Sequence, residues 1–269
     1  MYEAELRFLN EVFDYTGPML REKYAQRKQL IIETKRDEND LMTEADVAVQ
    51  EWVIKQIQRV FPTDFIVAEE HGMAVFPEDP NRRAWVLDPI DGTQNFIRGL
   101  YPAFGVSLAL AIDGRPVVGG VLLPETDDRF LAVHGEGATR NGARLTVSTI
   151  DKAAYARVEI DFSWPGDRER TIKAATPLLR AIGQIRCHCA AVIGLCSVAT
   201  GDMDGFFHVA LNPWDYAAAQ LIAEEAGGRS SRLDGSPLHL FDGSDGVLIT
   251  NGLLHDELLA VLGQGSSGI

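Results

Sequence analysis

The chain has 269 residues, 46% hydrophobic and 24% charged, a composition typical of a globular protein with one large α/β unit or two domains sharing a core. Its 25 Lys and Arg residues are outnumbered by 39 Asp and Glu residues, which gives a formal net charge of −14. Such a charge argues against binding to nucleic acid or to anionic membrane surfaces, but not against a phosphate substrate, because bound metal ions can reverse the local field.

The chain begins with two segments of helical periodicity. Residues 3–33 carry apolar side chains at helical spacing, with a kink or break expected at Gly17-Pro18. Residues 34–40 form a polar loop, which is either a solvated connector or a lid over a site. A second helix is predicted over residues 43–60. Asp46 in its first turns is either an acid that satisfies the helix dipole or a functional group.

Two predicted strands end in acidic side chains. The apolar run 65–68 is followed by Glu69. The run 84–87 is followed by Asp88, at a proline that breaks the strand, and then by Asp91. If the two strands pair, these three carboxylates lie close together, which is unfavourable unless a cation lies between them. Carboxylate oxygens suit a hard divalent cation.

A further segment, predicted to be a helix, begins at Gly92-Thr93, directly after these acids. The backbone N–H groups and the hydroxyl at such a helix start can bind an anion. A cation site beside an anion site indicates a metal-bound phosphate. The ordinary alternative for residues 88–93 is an Asp-Pro turn with an aspartate at a helix N-cap.

The remaining elements are assigned from apolar runs and turn residues. Within an antiparallel meander over residues 104–148, strands are predicted at 104–110, 117–122, 130–133 and 145–148. In the second half, strands are predicted at 154–162, 205–209 and 247–250, a strand that runs into a loop at 185–191, and helices at 168–179, 192–200, 217–226 and 255–262. Asp215 lies at a helix start, where capping is its ordinary role.

The cysteines are Cys187, Cys189 and Cys196, a set too small and too clustered for a disulfide framework. Reduced thiols indicate a cytoplasmic protein. A zinc or redox role for the first two is an alternative, but His188 would point to the other side of the strand, and no second Cys/His pair is evident. The N-terminus has no apolar signal region and no apolar run is long enough to span a membrane, so we expect no membrane partner.

Four separated motifs resemble, in order and spacing, those of the inositol monophosphatase family of Mg²⁺-dependent, lithium-sensitive phosphatases. They are residues 41–46, Glu69-Glu70, residues 88–93, and Trp214-Asp215 with residues 225–228. The resemblance implies an α/β (α+β) fold, a layered α-β-α-β-α sandwich with mixed sheets, which is often a homodimer. We expect an N-terminal half, residues 1–148, with most metal ligands, and a C-terminal half, residues 149–269, with Asp215 and the specificity segment.

The resemblance also implies a metal centre of two to three Mg²⁺ ions. One ion is expected at Glu69, Asp88 and the Ile90 carbonyl. A second is expected at Asp88, Asp91 and Asp215, and a third, weaker ion near Glu69. Metal ions of this kind neutralise charge and activate water in phosphoryl transfer.

Further roles follow from the same resemblance. Asp46 and Thr93 are expected to orient and deprotonate the attacking water, with Glu69 as a further catalytic residue. The N–H groups of Gly92 and Thr93 are expected to hold the phosphate. The expected substrate-binding residues are Asp91, Gly92, Thr93, Cys189, Ala190, Ala191, His208 and Asp215.

The specificity residues depart from the family pattern. Cys189-Ala190-Ala191 stands where the family has Gly-Ser/Thr-Ala, and His208 stands where inositol-specific enzymes have a glutamate that binds sugar hydroxyls. Loss of that acid should weaken polyol binding by ~1–3 kcal/mol, whereas an imidazole suits an anionic or aromatic group. The substrate is therefore an inositol phosphate, histidinol phosphate, another sugar phosphate or, least of all, a nucleotide 3′-phosphate. A non-catalytic binding protein on the same fold is the alternative.

Overall fold

The computed structural model describes residues 2–35, 38, 40–79, 81–99, 103–161, 168–242 and 245–266. Three residues of the predicted 34–40 loop, the last residue of the predicted strand 154–162 and the final three residues of the chain lie outside this part.

The helices are α1 (Glu3–Ala25), α2 (Glu44–Val60), α3 (Thr93–Arg98), α4 (Arg168–Ala181), α5 (Ala191–Thr200), α6 (Pro213–Glu225) and α7 (His255–Ser266). The strands are β1 (Ile32–Thr34), β2 (Leu41–Thr43), β3 (Phe65–Ala68), β4 (Ala84–Asp91), β5 (Gly105–Ile112), β6 (Arg115–Leu123), β7 (Asp128–Val133), β8 (Gly137–Arg140), β9 (Ala143–Arg144), β10 (Arg157–Ile160), β11 (Gln184–Arg186), β12 (Gly205–Leu211), β13 (Arg229–Arg232) and β14 (Asp245–Thr250).

The larger sheet has seven strands in the order β3-β4-β5-β6-β7-β8-β9. Strands β3 and β4 are parallel, and every other neighbouring pair is antiparallel. In the β3–β4 register Ala68 lies opposite Leu87, so Glu69 and Asp88 follow at the same end of the two strands. The predicted pairing of these strands is confirmed, and it brings two acidic strand ends side by side.

The smaller sheet has five strands in the order β11-β10-β12-β14-β13. Strand β10 is parallel to β11 and β12, whereas β14 is antiparallel to β12 and β13. Strands β1 and β2 form a separate antiparallel pair. Both large sheets are therefore mixed, as predicted. The division of the chain at residues 148 and 149 stays a prediction.

Helices cover both faces of both sheets. Helices α1 and α2 pack on one face of the larger sheet, against Trp85 and Leu87. Helices α5 and α6 pack between the sheets, where Val86 of β4 and Ile249 of β14 belong to the same apolar cluster. Helices α4 and α7 cover the outer face of the smaller sheet. The layers alternate α-β-α-β-α, which confirms the predicted fold. No helix in the described ranges is long and apolar enough to cross a membrane.

The first helix is continuous through Gly17-Pro18, so of the predicted kink or break the break is wrong, and the helix is shorter at its C-terminal end than predicted. A proline inside a helix removes one backbone hydrogen bond. However, Leu9, Phe13 and Leu20 of α1 are fully buried, and each such side chain stabilises the fold by about 1.5–3 kcal/mol. Packing on the sheet therefore outweighs the proline.

Strand β4 continues through Asp88-Pro89 to Asp91, so the predicted break at the proline is also wrong. The register between β4 and β5 shifts between Asp88 and Asp91. Proline is tolerated at such an irregularity, because the ladder does not need its missing N–H there. Both acids thus belong to one strand, in which every residue is buried.

Residues 145–148 do not form the predicted strand. The backbone N–H of Leu145 donates to the carbonyl of Ala138 in β8, whereas that of Val147 donates to the carbonyl of Ala226 after α6. The segment therefore leaves the sheet, because its backbone groups bond to two different elements.

Candidate active site

Three carboxylates converge where β4 ends and α6 begins. Oxygen atoms of Asp88, Asp91 and Asp215 all lie within 4.8 Å of one another. Burial raises the pKa of Asp88 and that of Asp215 well above the ordinary value, and the neighbouring Glu69 raises both further. Burial likewise raises the pKa of Asp91 to about 7. So many acids in a dry site are unfavourable without a compensating cation. The donor set is all oxygen, which fits Mg²⁺.

Each of these carboxylates is held by a backbone N–H group. Asp88 Oδ1 accepts a hydrogen bond from the Ile90 N–H at 3.0 Å. Asp91 Oδ2 accepts one from the Val192 N–H at 2.8 Å, across the interface to α5. Asp215 Oδ2 accepts one from the Asn212 N–H at 2.8 Å, as part of the capping box of α6. Both the expected capping role and the clustering with other acids therefore apply to Asp215.

Glu69 is paired with a cation that the sequence analysis did not single out. Lys35 Nζ lies 2.8 Å from Glu69 Oε1 and 2.6 Å from Glu70 Oε1. Burial opposes the charge of Lys35, but the two glutamates outweigh it and raise the pKa of the ammonium group. Gln50 fixes the backbone of Glu70 through hydrogen bonds of 2.9 Å to its N–H and its carbonyl. A lysine from the polar loop thus neutralises part of the acidic end of β3.

Asp46 caps α2 with one oxygen and faces Thr93 with the other. Asp46 Oδ2 accepts hydrogen bonds from the N–H and the hydroxyl of Thr43, at 2.8 and 2.6 Å. Thr93 Oγ1 lies 3.1 Å from Asp46 Oδ1 and 2.9 Å from the Ile90 carbonyl oxygen, so its one proton can go to either acceptor. Burial raises the pKa of Asp46 to about 6. A carboxylate with such a pKa suits general-base work near neutral pH.

Gly92 forms the turn between β4 and α3 with φ of 86°. A Cβ atom there would lie 2.7 Å from the Ala103 carbonyl oxygen and 2.9 Å from Ala190 Cβ. Glycine is required both by the left-handed backbone and by this close approach. The glycine therefore brings the β4–α3 turn against the start of α5.

The expected specificity residues lie on two separate elements. Cys189, Ala190 and Ala191 lead into α5, and Asn95 Nδ2 ties this segment to α3 through a hydrogen bond of 2.7 Å to the His188 carbonyl. The same Nδ2 donates to the Ala103 carbonyl, before β5, at 2.8 Å. His208 lies on β12 and is 7% exposed. Its Nδ1 accepts a hydrogen bond from the Ala210 N–H at 3.1 Å. The imidazole is thus neutral in this arrangement, with its proton on Nε2.

Lys35, Asn95 and Asp161 were not predicted as site residues. Asp161 follows β10 directly, so it matches the pattern of an acid at a strand end that singled out Glu69 and Asp88. No local pattern pointed to the other two, because both act through contacts with distant segments.

Comparisons with known proteins agree with this arrangement. The family model described as "Inositol monophosphatase family" matches residues 2–266. The Nus factor SuhB of Pasteurella multocida is 36% identical over 229 residues, which are 84% of each protein. The inositol-1-monophosphatase of Synechocystis is 37% identical over 235 residues, which cover 86% of this chain and 79% of the relative. A solved structure of inositol monophosphatase from Anabaena has a TM-score of 0.83 at 30% identity, covering 97% of this chain and 96% of that one.

Proposed function

The chain belongs to the inositol monophosphatase family, and from that premise we propose that it hydrolyses a small phosphate monoester in a Mg²⁺-dependent reaction. The observation that carries the proposal is the cluster of Asp88, Asp91 and Asp215, whose oxygens lie within 4.8 Å of one another. Carboxylates this close together are the expected surroundings of hard divalent cations.

Two to three Mg²⁺ ions are proposed. Glu69, Asp88 and the Ile90 carbonyl would hold one, and Asp88, Asp91 and Asp215 a second, with a weaker third near Glu69. The bound ions would supply charge neutralisation and would lower the pKa of water. The family's lithium sensitivity is proposed for this chain as well, as inhibition that depends on Mg²⁺ concentration.

Proton transfer is proposed to run through Thr93 and Asp46. The Thr93 hydroxyl donates to Asp46 Oδ1 at 3.1 Å, so that Thr93 Oγ1 offers a lone pair to the proton of the attacking water. As water attacks phosphorus, its proton passes to Thr93 Oγ1 and the threonine proton passes to Asp46. The buried carboxylate is fixed for this task by two hydrogen bonds from Thr43. Glu69 is proposed to orient a further water.

The N–H groups of Gly92 and Thr93 are proposed to hold the phosphate, and Cys189, Ala190, Ala191 and His208 to contact the rest of the substrate. An imidazole can donate a hydrogen bond, whereas a carboxylate only accepts one. Histidine in place of the family's glutamate therefore favours a substrate that carries a hydrogen-bond acceptor beside residue 208. An inositol phosphate is proposed first, with histidinol phosphate and other sugar phosphates as alternatives.

A binding or regulatory protein on the same fold is the second candidate. It is favoured by the names of several curated relatives, which are Nus factors SuhB. It is disfavoured because all the side chains expected to act in catalysis are present, namely Asp46, Glu69, Asp88, Asp91, Thr93 and Asp215. The net charge of −14 argues against a nucleic-acid partner. A homodimer in the cytoplasm remains the expected state.

The deciding experiment measures phosphate release with and without Mg²⁺ from inositol 1-phosphate, histidinol phosphate, fructose 1,6-bisphosphate, adenosine 3′,5′-bisphosphate and glycerol phosphate. One substrate far above the others would identify the substrate and the group that His208 contacts. Uniformly weak, Mg²⁺-dependent turnover would support the chemistry with a substrate outside this panel. Absence of turnover on every compound would favour the binding protein.

A further inference from the structure

A second cluster of possible metal ligands lies beside the carboxylate site. It consists of Asp161, Cys187 and Cys189, which we call the thiol cluster. One carboxylate oxygen and the two sulfur atoms all lie within 4.8 Å of one another. Both cysteines are exposed, whereas Asp161 is 6% exposed. The three side chains come from the end of β10 and from the segment between β11 and α5.

The separation of the two sulfurs fits a shared metal ion. Cys187 Sγ and Cys189 Sγ are 3.6 Å apart. Two thiolates bound at about 2.3 Å in a tetrahedral site lie about 3.8 Å apart. Cys189 has φ of 54°, a left-handed conformation that residues other than glycine seldom adopt. This turn keeps both sulfurs on one side, while His188 points to Glu159, with 2.6 Å between His188 Nδ1 and Glu159 Oε2.

The third ligand, Asp161, lies far along the chain from the two cysteines, so only the folded structure brings the three side chains together. Asp161 Oδ1 accepts a hydrogen bond from the Cys189 N–H at 3.0 Å, and the thiol of Cys187 donates to the same carboxylate. The fully buried Glu159 lies close to Asp161, and His188 is the basic group bonded to it. Asp161 is thus an acidic donor beside the two thiols, with Glu159 and its partner His188 behind it.

We propose that Asp161, Cys187 and Cys189 form a binding site for one thiophilic divalent cation of the Zn²⁺ class. Two sulfurs select a soft ion, whereas the all-oxygen site next to it selects a hard one. On binding, both thiols ionise and release two protons to solvent, two metal–sulfur bonds form, and nothing is oxidised or reduced. Since both cysteines are exposed, a fourth position can hold water. The proposal goes beyond phosphatase activity and does not rest on it.

The site adjoins the segment that supports the carboxylate cluster. The Cys189 N–H contacts Asp161, and three residues later the Val192 N–H contacts Asp91. A bound ion at the thiol cluster would therefore fix the backbone that also positions Asp91.

Cobalt(II) is the probe, added to the reduced, metal-free full chain with Mg²⁺ in excess. A thiolate–cobalt charge-transfer band in the near ultraviolet that saturates at one ion per chain, and disappears when Zn²⁺ is added, would support the proposal. Carboxylate oxygens alone cannot produce that band. Cys187→Ser should abolish it, and Asp161→Asn should weaken cobalt binding by about 10- to 100-fold or more. Cys196→Ala changes the buried third cysteine and should leave the band unchanged.

Three results would overturn the proposal. One is the absence of a charge-transfer band at stoichiometric cobalt while both exposed thiols still react with a thiol reagent. Another is a band that persists in Cys187→Ser. Formation of a Cys187–Cys189 disulfide under a mild disulfide oxidant, detected as the loss of two hydrogens by mass, together with no metal binding, would also reject the metal site and identify a redox pair.

Discussion

The carboxylate cluster and the thiol cluster are built alike and differ in their donor atoms. In each, an acid at a strand end lies near the start of a helix: Asp91 of β4 lies beside Asp215 of α6, and Asp161 after β10 faces the segment leading into α5. The first site offers carboxylate oxygens from β4 and α6, and the second adds two exposed sulfurs. The same architecture can thus favour a hard ion in one place and a soft ion in another, because donor chemistry decides which ion binds.

The two regions meet at the start of α5, so variants can test whether the two sites act independently. Val192 contacts the carboxylate cluster and Cys189 contacts Asp161. A variant confined to one site should change the chemistry of that site and leave the other intact.

Asp91→Asn should have the largest effect on turnover. Removing one charge from the ligand set should lower kcat by about 10³-fold or more, the size of effect seen when a transition-state charge contact is lost in phosphoryl transfer. The amide oxygen can still accept the Val192 hydrogen bond, so thermal unfolding should be unchanged or shifted upward. Near-wild-type turnover would reject the metal assignment. The cobalt–thiolate band of the thiol cluster should survive, and its loss would mean that the sites are not independent.

Thr93→Ala should come next, with a fall in kcat of about 10²–10⁴-fold. The variant lacks the hydroxyl that lies between Asp46 and the Ile90 carbonyl. Thr93→Ser retains that hydroxyl and should recover most of the activity. If serine were as inactive as alanine while both proteins kept the wild-type melting temperature, the proton route would be wrong.

Gly92→Ala should destabilise the protein, because Gly92 lies in the turn that packs against the start of α5. The added Cβ would lie 2.7 Å from the Ala103 carbonyl oxygen, on a backbone with φ of 86°. Strain and clash together should lower the free energy of unfolding by about 1–3 kcal/mol. Gly142→Ala is the matched control, because its φ is 81° and nothing lies within 4 Å of its Cβ position. Equal losses in a denaturant titration would show that backbone strain alone is responsible.

Lys35→Gln should have the smallest effect of these variants, and we expect it to change the affinity for Mg²⁺. The ammonium group lies 2.8 Å from Glu69 Oε1 and competes with Mg²⁺ for that carboxylate. Removing it should lower the Mg²⁺ concentration for half-maximal activity by about 5-fold, equivalent to ~1 kcal/mol. Lys55→Gln disrupts a surface ion pair with Glu51 and should change nothing. A higher Mg²⁺ requirement in Lys35→Gln would mean that the lysine supports the site instead of competing for it.

Much of the fold and part of the site were predictable because their signals are local. The apolar runs before Glu69 and Asp88 and the helix starts at Thr43 and Asp215 depend on spacing within a few residues, and they appear in the structure as expected. The prediction that β4 ends at Pro89 was wrong because it rested only on the N–H group that proline lacks. The strand continues there since the register with β5 shifts at that point.

Local sequence is enough to predict which side chains lie at many strand ends and helix starts, since periodicity and capping act over one or two turns of chain. Which of these ends lie next to one another follows only from the folded arrangement. Lys35 reaches Glu69 across 34 residues, and Asp91 reaches Val192 across 101. Asp161 lies 28 residues from Cys189, whose backbone N–H donates a hydrogen bond to it. Such contacts follow from strand register and helix packing. These are stabilised by the burial of apolar side chains, which is complete only when the whole core has assembled.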